Sequence, residues 1–162
     1  MRINQPIILA LDPGTRTCGV AVFDAAELQY FAIKTLPRRL TQQQLLVKSH
    51  QLVMELLEEF QPTTLIVAQK RQRPPVVTAM TRQIQQVAEQ YILTFNQYEL
   101  AEIRLAICSS ERATKRHITR RLIEVFPVLR HYEDRPTPWQ TLYRQRMFDA
   151  IAAGYTDLRE SL

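Results

Sequence analysis

Residues 7–24, with the sequence IILALDPGTRTCGVAVFD, decide the fold of this chain. An apolar run ends at a single carboxylate, Asp12, and Pro13 and Gly14 then turn the backbone. A second apolar run follows over residues 19–23, so the segment predicts a strand, a tight turn and a second strand. A charge at the end of a central strand is costly to bury without a partner. Asp12 is therefore a candidate metal ligand or general base.

The composition is that of a globular protein with a basic surface. With 162 residues, we expect a single domain over residues 1–162. The net charge of +5 favours a polyanionic partner such as nucleic acid. No apolar run approaches the roughly 20 residues that cross a bilayer, and nothing resembles a signal peptide. We expect a cytoplasmic protein with no membrane partner, whose Cys18 and Cys108 are buried free thiols in predicted strands.

The remaining sequence predicts three more strands and four helices. Thr41 begins a long helix, with Gln44 placed three residues later as in a capping box. The predicted strands cover residues 28–35, 63–68 and 103–108, and the other helices cover about 76–96, 110–126 and 139–158. This order favours an α/β fold with a five-stranded mixed sheet, in which three antiparallel strands precede two parallel ones and helices cover both faces.

Three motifs appear in an order that resembles a known family. They are LALDPGTRTCGVAV at residues 9–22, SSERATKRHITRRL at residues 109–122 and FDAIAAGY at residues 148–155. Together they resemble the RNase H-like nuclease fold and, within it, the RuvC type of Holliday junction resolvase. The likeness covers nearly the whole chain, which makes three ordered motifs more specific than any one of them.

The resemblance implies a structure-selective DNA endonuclease that cleaves four-way junctions with Mg²⁺, or with Mn²⁺ as a substitute. Asp12 and Asp149 match metal ligands of the first strand and the last helix. Lys115 would stabilise charge at the phosphate. Gln69 would stand at the end of the fourth strand as the remaining catalytic position. Two symmetric nicks require two symmetric sites, so we expect a homodimer.

Two positions depart from the family pattern. The fourth strand should end in Glu, whereas here it ends in Gln69 or, if the register shifts by one residue, in Ala68. Gln keeps the shape of Glu but lacks its negative charge, so metal would bind more weakly. Arg146 stands one turn before Asp149, where the family often has an acidic residue or His. The sequence leaves open whether Gln69 is natural or engineered and whether the site is active.

Basic residues form two groups that we expect to contact nucleic acid. One group, after the fourth strand, contains Lys70, Arg71 and Arg73. In the other, Arg112, Arg116 and Arg120 are expected on one helix face, with Lys115 nearby. Arg146 could contact the scissile phosphate. An ordinary solvated face is the alternative interpretation of such charges.

Two other functions remain open. The opening motif is also similar to the YqgF group, which is linked to the trimming of ribosomal RNA precursors, so RNA is a possible partner. Alternatively, the loss of two ligand positions would leave a catalytically silent module that only binds nucleic acid. Asp12 before Pro-Gly could also be no more than a turn former.

Overall fold

A computed structural model of the chain describes residues 5–133 and 137–161. The strands are β1 (Ile7–Asp12), β2 (Thr17–Asp24), β3 (Glu27–Thr35), β4 (Thr64–Gln69) and β5 (Thr94–Glu99). The helices are α1 (Gln42–Phe60), α2 (Pro75–Gln90), α3 (Leu100–Cys108), α4 (Lys115–Val125) and α5 (Pro138–Glu160), with a 3₁₀ helix at Pro127–Tyr132.

The five strands form one mixed sheet in the order β3-β2-β1-β4-β5. The pairs β1–β2 and β2–β3 are antiparallel, whereas β1–β4 and β4–β5 are parallel. The predicted fold class is therefore confirmed. Because β1, β4 and β5 run in the same direction, their carboxyl ends meet at one edge of the sheet, and Asp12 is the last residue of β1.

Alternation along β1 gives the sheet two buried faces. Ile8 and Ala10 pack in a cluster with α3, α4 and α5. Leu9 and Leu11 pack in a second cluster with α1 and α2. Asp12 follows Ile8 and Ala10 in the alternation, so its side chain points to the α5 face of the sheet. The side chains of Ile66 and Ala68 on β4 point to the same face.

The predicted fifth strand is wrong in position. The run over residues 103–108 is not a strand but most of α3, because Leu100, Ile103 and Ile107 recur at helical spacing and pack on the α5 side of the sheet. Short apolar runs of this kind do not distinguish a strand from a buried helix. Cys108 consequently ends a helix and is half-buried, not buried as predicted, whereas Cys18 lies buried in β2 as expected.

The true fifth strand occupies residues that were predicted to be helical. α2 ends at Gln90 rather than near residue 96, and Ile92 then adopts a positive φ of 57° before β5 begins. β5 contains polar residues that face inward. The side chains of Asn96 and Tyr98 donate hydrogen bonds of 3.0 and 2.6 Å to the buried Asp157 carboxylate of α5. This polar pairing removes the apolar alternation by which the strand could have been recognised.

The helix termini explain two further outcomes. The capping box of α1 is confirmed, since Thr41 and Gln44 exchange side-chain to backbone hydrogen bonds. α4 begins at Lys115 rather than at residue 110, because Thr114 caps it in reciprocal hydrogen bonds with His117. Arg112 lies before this helix and does not share its face. Within the described ranges, no helix is long and apolar enough to cross a membrane.

Close contact between β2 and α5 fixes the height of α5 over the sheet. A Cβ atom at Gly19 would collide with the backbone carbonyl group of Arg146, whereas a Cβ atom at Gly14 would meet only the guanidinium end of the Arg146 side chain. Neither glycine has a positive φ. Space, and not backbone conformation, therefore requires glycine at residue 19.

We predict that Gly19→Ala lowers the free energy of unfolding by about 3 kcal/mol, because backbone atoms of a packed helix cannot move aside cheaply. Gly14→Ala is the matched control and should cost about 1 kcal/mol, since a side chain and one hydrogen bond can rearrange. Urea unfolding of both variants checks this. Equal losses would show that α5 does not approach β2 as described.

Candidate functional site

Asp12 is a buried carboxylate at the edge where the parallel strands end. Its side chain is 2% exposed. Burial raises the pKa of the Asp12 carboxyl above its usual range, Asp149 adds to this effect, and the Lys70 and Arg146 cations act against it. A carboxylate in this position needs a cationic partner.

Lys70 supplies that partner and also reaches the second candidate ligand. Its Nζ lies 2.9 Å from Asp12 Oδ2 and 3.1 Å from Asp149 Oδ2. The sequence assigned Lys70 to nucleic-acid binding, whereas its ammonium lies between the two carboxylates. The structure thus brings Asp12 and Asp149 together, as the family resemblance implied, but around an ammonium group of the chain itself.

Three further side chains surround this pair. Lys115 Nζ lies 3.6 Å from Asp149 Oδ2, and Arg146 Nη1 lies 3.8 Å from Asp12 Oδ1. Arg146 Nη1 also donates to the Pro13 carbonyl at 3.2 Å, which ties α5 to the turn after β1. Gln145 Nε2 donates to Asp149 Oδ1 at 2.7 Å and orients that carboxylate. Lys70, Lys115, Arg146, Asp12 and Asp149 together form what we call the acidic–basic cluster.

The strand register identifies Ala68, not Gln69, as the β4 residue beside Asp12. Leu11 pairs with Val67, so Asp12 continues opposite Ala68, and Ala68 belongs to the cluster on the α5 face. Gln69 borders the surface near Asp149, but strand alternation directs its side chain to the α2 face. There it lines a cavity of about 300 Å³ with Thr81. The catalytic role predicted for Gln69 does not fit this position.

The basic residues fall into two kinds of environment. Arg73 is held by the protein, because its guanidinium donates to Thr81 Oγ1 at 2.9 Å and to the Ala68 carbonyl. Burial lowers its pKa, and the Asp12 charge opposes this. Arg73 therefore positions the end of β4 instead of presenting a free guanidinium to DNA. Outside the acidic–basic cluster, the remaining residues that we expected to contact nucleic acid are exposed, namely Arg71, Arg112, Arg116 and Arg120.

A groove of about 530 Å³ leads from this surface to the cluster. Its lining combines the cations Lys70, Arg71 and Lys115 with the carboxylate of Asp149. Glu99, at the end of β5, also lines it. A phosphate group could enter this groove and meet several cations.

The chemistry of the donor set does not fit two divalent ions. The family resemblance implied four ligand positions, and here only Asp12 and Asp149 offer carboxylates, because Ala68 stands beside Asp12 on β4 and Arg146 stands one turn before Asp149. Over residues 5–133 and 137–161, no group of three or more His, Cys, Asp or Glu side chains could hold a metal. Both carboxylates of the cluster already pair with Lys70. We therefore assign no chemical step to a metal.

Sequence reasoning missed two features of this site. Gln145 precedes Asp149 by four residues, a spacing that places both on one helix face and could have identified the contact. Lys70 is the first residue after β4, and its ammonium lies beside Asp12 at the end of β1. The sequence does not specify the register of β4 against β1, so it does not place Lys70 beside Asp12.

No protein-family model matches the chain, and no curated protein is similar to it in sequence. Solved structures do match. RuvC of Thermus thermophilus in complex with a Holliday junction substrate superposes with a TM-score of 0.77 at 16% identity, over 96% of this chain and 94% of that one. The yeast mitochondrial Holliday junction resolvase gives 0.67 at 11% identity, over 94% and 78%. The fowlpox virus Holliday junction resolvase gives 0.63 at 12%, over 96% and 99%.

These matches extend over almost the whole chain and include resolvases from a bacterium, a yeast and a virus. At such low identity, they concern the arrangement of the backbone. The chain therefore has the RNase H-like fold of the RuvC-type Holliday junction resolvases.

Proposed function

We propose that this protein binds branched nucleic acid, with four-way DNA junctions as its preferred partner. The observation that carries this proposal is the acidic–basic cluster, which contains three cations and two carboxylates at the open edge of the sheet. A surface with excess positive charge attracts the phosphate backbone. The solved structure of RuvC with a Holliday junction substrate supports the choice of a junction.

The exposed cations continue from the cluster along α4. Arg116 and Arg120 lie one turn apart on this helix. Lys115, the first residue of the helix, contacts Asp149 of the cluster. Phosphates of one DNA arm would follow this line, while Arg71 would contact the region near the branch point. Contacts of this kind position DNA without reading its sequence, which suits a protein that selects structure.

A four-way junction has twofold symmetry, so a homodimer is the assembly that matches it. Each copy would present one groove to one pair of arms. RNA is the main competing polyanion, and an excess of structured RNA in the binding assay tests the YqgF-like alternative. If structured RNA displaces junction DNA completely at equal concentration, RNA is the better candidate partner.

A Mg²⁺-dependent endonuclease is the second candidate function. One observation favours it: Asp12 and Asp149 do converge at the edge where the nuclease resemblance requires them. The lack of further metal ligands argues against an endonuclease, because neither Ala68 nor Arg146 supplies a carboxylate. Binding without cleavage is therefore the function that the geometry supports best.

We predict that Arg116→Gln with Arg120→Gln weakens junction binding and its salt dependence. Each lost phosphate contact should reduce the slope of log K against log salt by about 0.9. The double variant should therefore lose up to about 1.8 from the slope. Fluorescence anisotropy with a labelled junction, over a range of salt concentrations, measures both quantities.

The matched control removes the same charge elsewhere, with Lys48→Gln on α1 and Arg159→Gln at the end of α5. Both residues are exposed and lie outside the groove. This variant should keep the wild-type slope. Equal slopes in the two double variants, or equal affinity for junction and linear duplex, would refute the proposed recognition surface.

We predict that neither the wild-type protein nor Gln69→Glu nicks a synthetic junction in Mg²⁺ or Mn²⁺. The new carboxylate would lie on the α2 face and could not join Asp12. Denaturing gels of end-labelled arms provide the measurement. Nicking that appears with Gln69→Glu and disappears with Asp12→Asn would instead favour the endonuclease and place residue 69 in its site.

A further inference from the structure

We propose that the Lys70 ammonium is the resident cation of the Asp12–Asp149 pair and takes the place of divalent metal. The protein would then hold a branched DNA substrate without hydrolysing it. The statement about DNA rests on the proposed function, whereas the statement about the cation stands on the described contacts alone.

The distances support a fixed position for this ammonium. Lys70 Nζ lies within 3.1 Å of one oxygen from each carboxylate, and it donates a hydrogen bond to Asp12 Oδ2. The side chains of Asp12 and Asp149 are 2% and 14% exposed, whereas that of Lys70 is 35% exposed, so water screens these contacts in part. The bond to Asp12 is charge-assisted and therefore stronger than a neutral one. The contact with Asp149 Oδ2 is an ion pair, because that oxygen accepts no hydrogen bond from the described residues.

The local sequence of β4 makes room for this arrangement. Ala68 places only a methyl group beside Asp12, where a longer acidic side chain would otherwise stand. Lys70 comes directly after the strand, and its ammonium contacts both Asp12 and Asp149. The Arg73 guanidinium holds the end of the strand through the Ala68 carbonyl, so the loop that carries Lys70 starts from a fixed point.

The charge around the carboxylates opposes a divalent ion. Lys115 and Arg146 lie within 4 Å of Asp149 and Asp12, so the cluster is positive by one unit before any metal arrives. A metal would have to displace Lys70 and would then meet two further cations. It would gain only two carboxylate ligands, which is few for an ion that prefers a full set of oxygen donors.

The same charges suit a DNA phosphate. Lys115 is 44% exposed and lines the groove, and Arg146 is 33% exposed beside Asp12, so neither the ammonium nor the guanidinium is closed off from solvent. A phosphate there would be held by cations, with no metal to activate a water molecule. We infer that binding to the junction needs no divalent ion and proceeds equally well in EDTA.

The test is thermal unfolding of the whole protein, without DNA, in EDTA and in increasing Mn²⁺. The wild-type Tm should not change with Mn²⁺, because an ion that does not bind the folded state cannot stabilise it. Lys70→Met should lower the Tm in EDTA by about 5 °C, since two carboxylates lose their shared partner. Without the Lys70 ammonium the cluster is no longer positive and both carboxylates lack their shared partner, so Mn²⁺ should bind there weakly and raise the Tm of this variant.

Lys48→Met removes an exposed lysine of α1 and should leave both the Tm and the response to Mn²⁺ unchanged. Lys70→Arg keeps a cation in place and should remain indifferent to Mn²⁺, which preserves the test if Lys70→Met does not fold. A saturable rise of the wild-type Tm with Mn²⁺ that Asp12→Asn abolishes would overturn the proposal. An unaltered Tm for Lys70→Met, or a folded Lys70→Met that does not respond to Mn²⁺, would also overturn it.

Junction binding in EDTA separates this inference from the proposed function. If the protein binds no junction but behaves as expected with Mn²⁺, only the proposed function fails. If it binds junctions and Mn²⁺ stabilises the wild type through Asp12, only the inference about Lys70 fails.

Discussion

The burial of one carboxylate at the end of the central strand is the constraint on which the site depends. Asp12 is removed from water by β2, β4 and α5, and a buried charge of this kind is tolerated only with a partner. In a nuclease of this fold, metal ions could fill that need. Here Lys70 fills it, and the same ammonium draws Asp149 of α5 towards the end of β1. The Lys70 contact therefore both joins α5 to the end of β1 and forms the centre of the site.

The opening of the chain was the most predictable part of the fold. The β1–turn–β2 pattern and the Thr41 capping box depend on neighbours in sequence, and both were recognised. β5 was misplaced because its inward side chains, Asn96 and Tyr98, are polar and pair with Asp157, which lies about 60 residues away. No local pattern records such a partner. The apolar run of α3 then took the place of the missing strand, although the fold class remained correct.

The site was predictable in part for a related reason. Asp12 and Asp149 stand in motifs, so sequence resemblance was enough to select them. Choosing between Gln69 and Ala68 required the register of β4 against β1, and a shift of one residue moves a side chain to the other face of a sheet. The end of β4 also brings Lys70 next to Asp12, so a residue that we expected to contact DNA is the partner of a carboxylate. Arg73 likewise became a structural residue, because its acceptors lie on β4 and α2.

A crystal structure of the wild-type protein grown with Mn²⁺, with anomalous diffraction recorded at the manganese absorption edge, tests the central claim most directly. The account predicts the Lys70 ammonium between Asp12 and Asp149, with Nζ about 3 Å from both carboxylates, and no anomalous peak there. A manganese peak bound to both carboxylates, with the Lys70 side chain turned away, would contradict it.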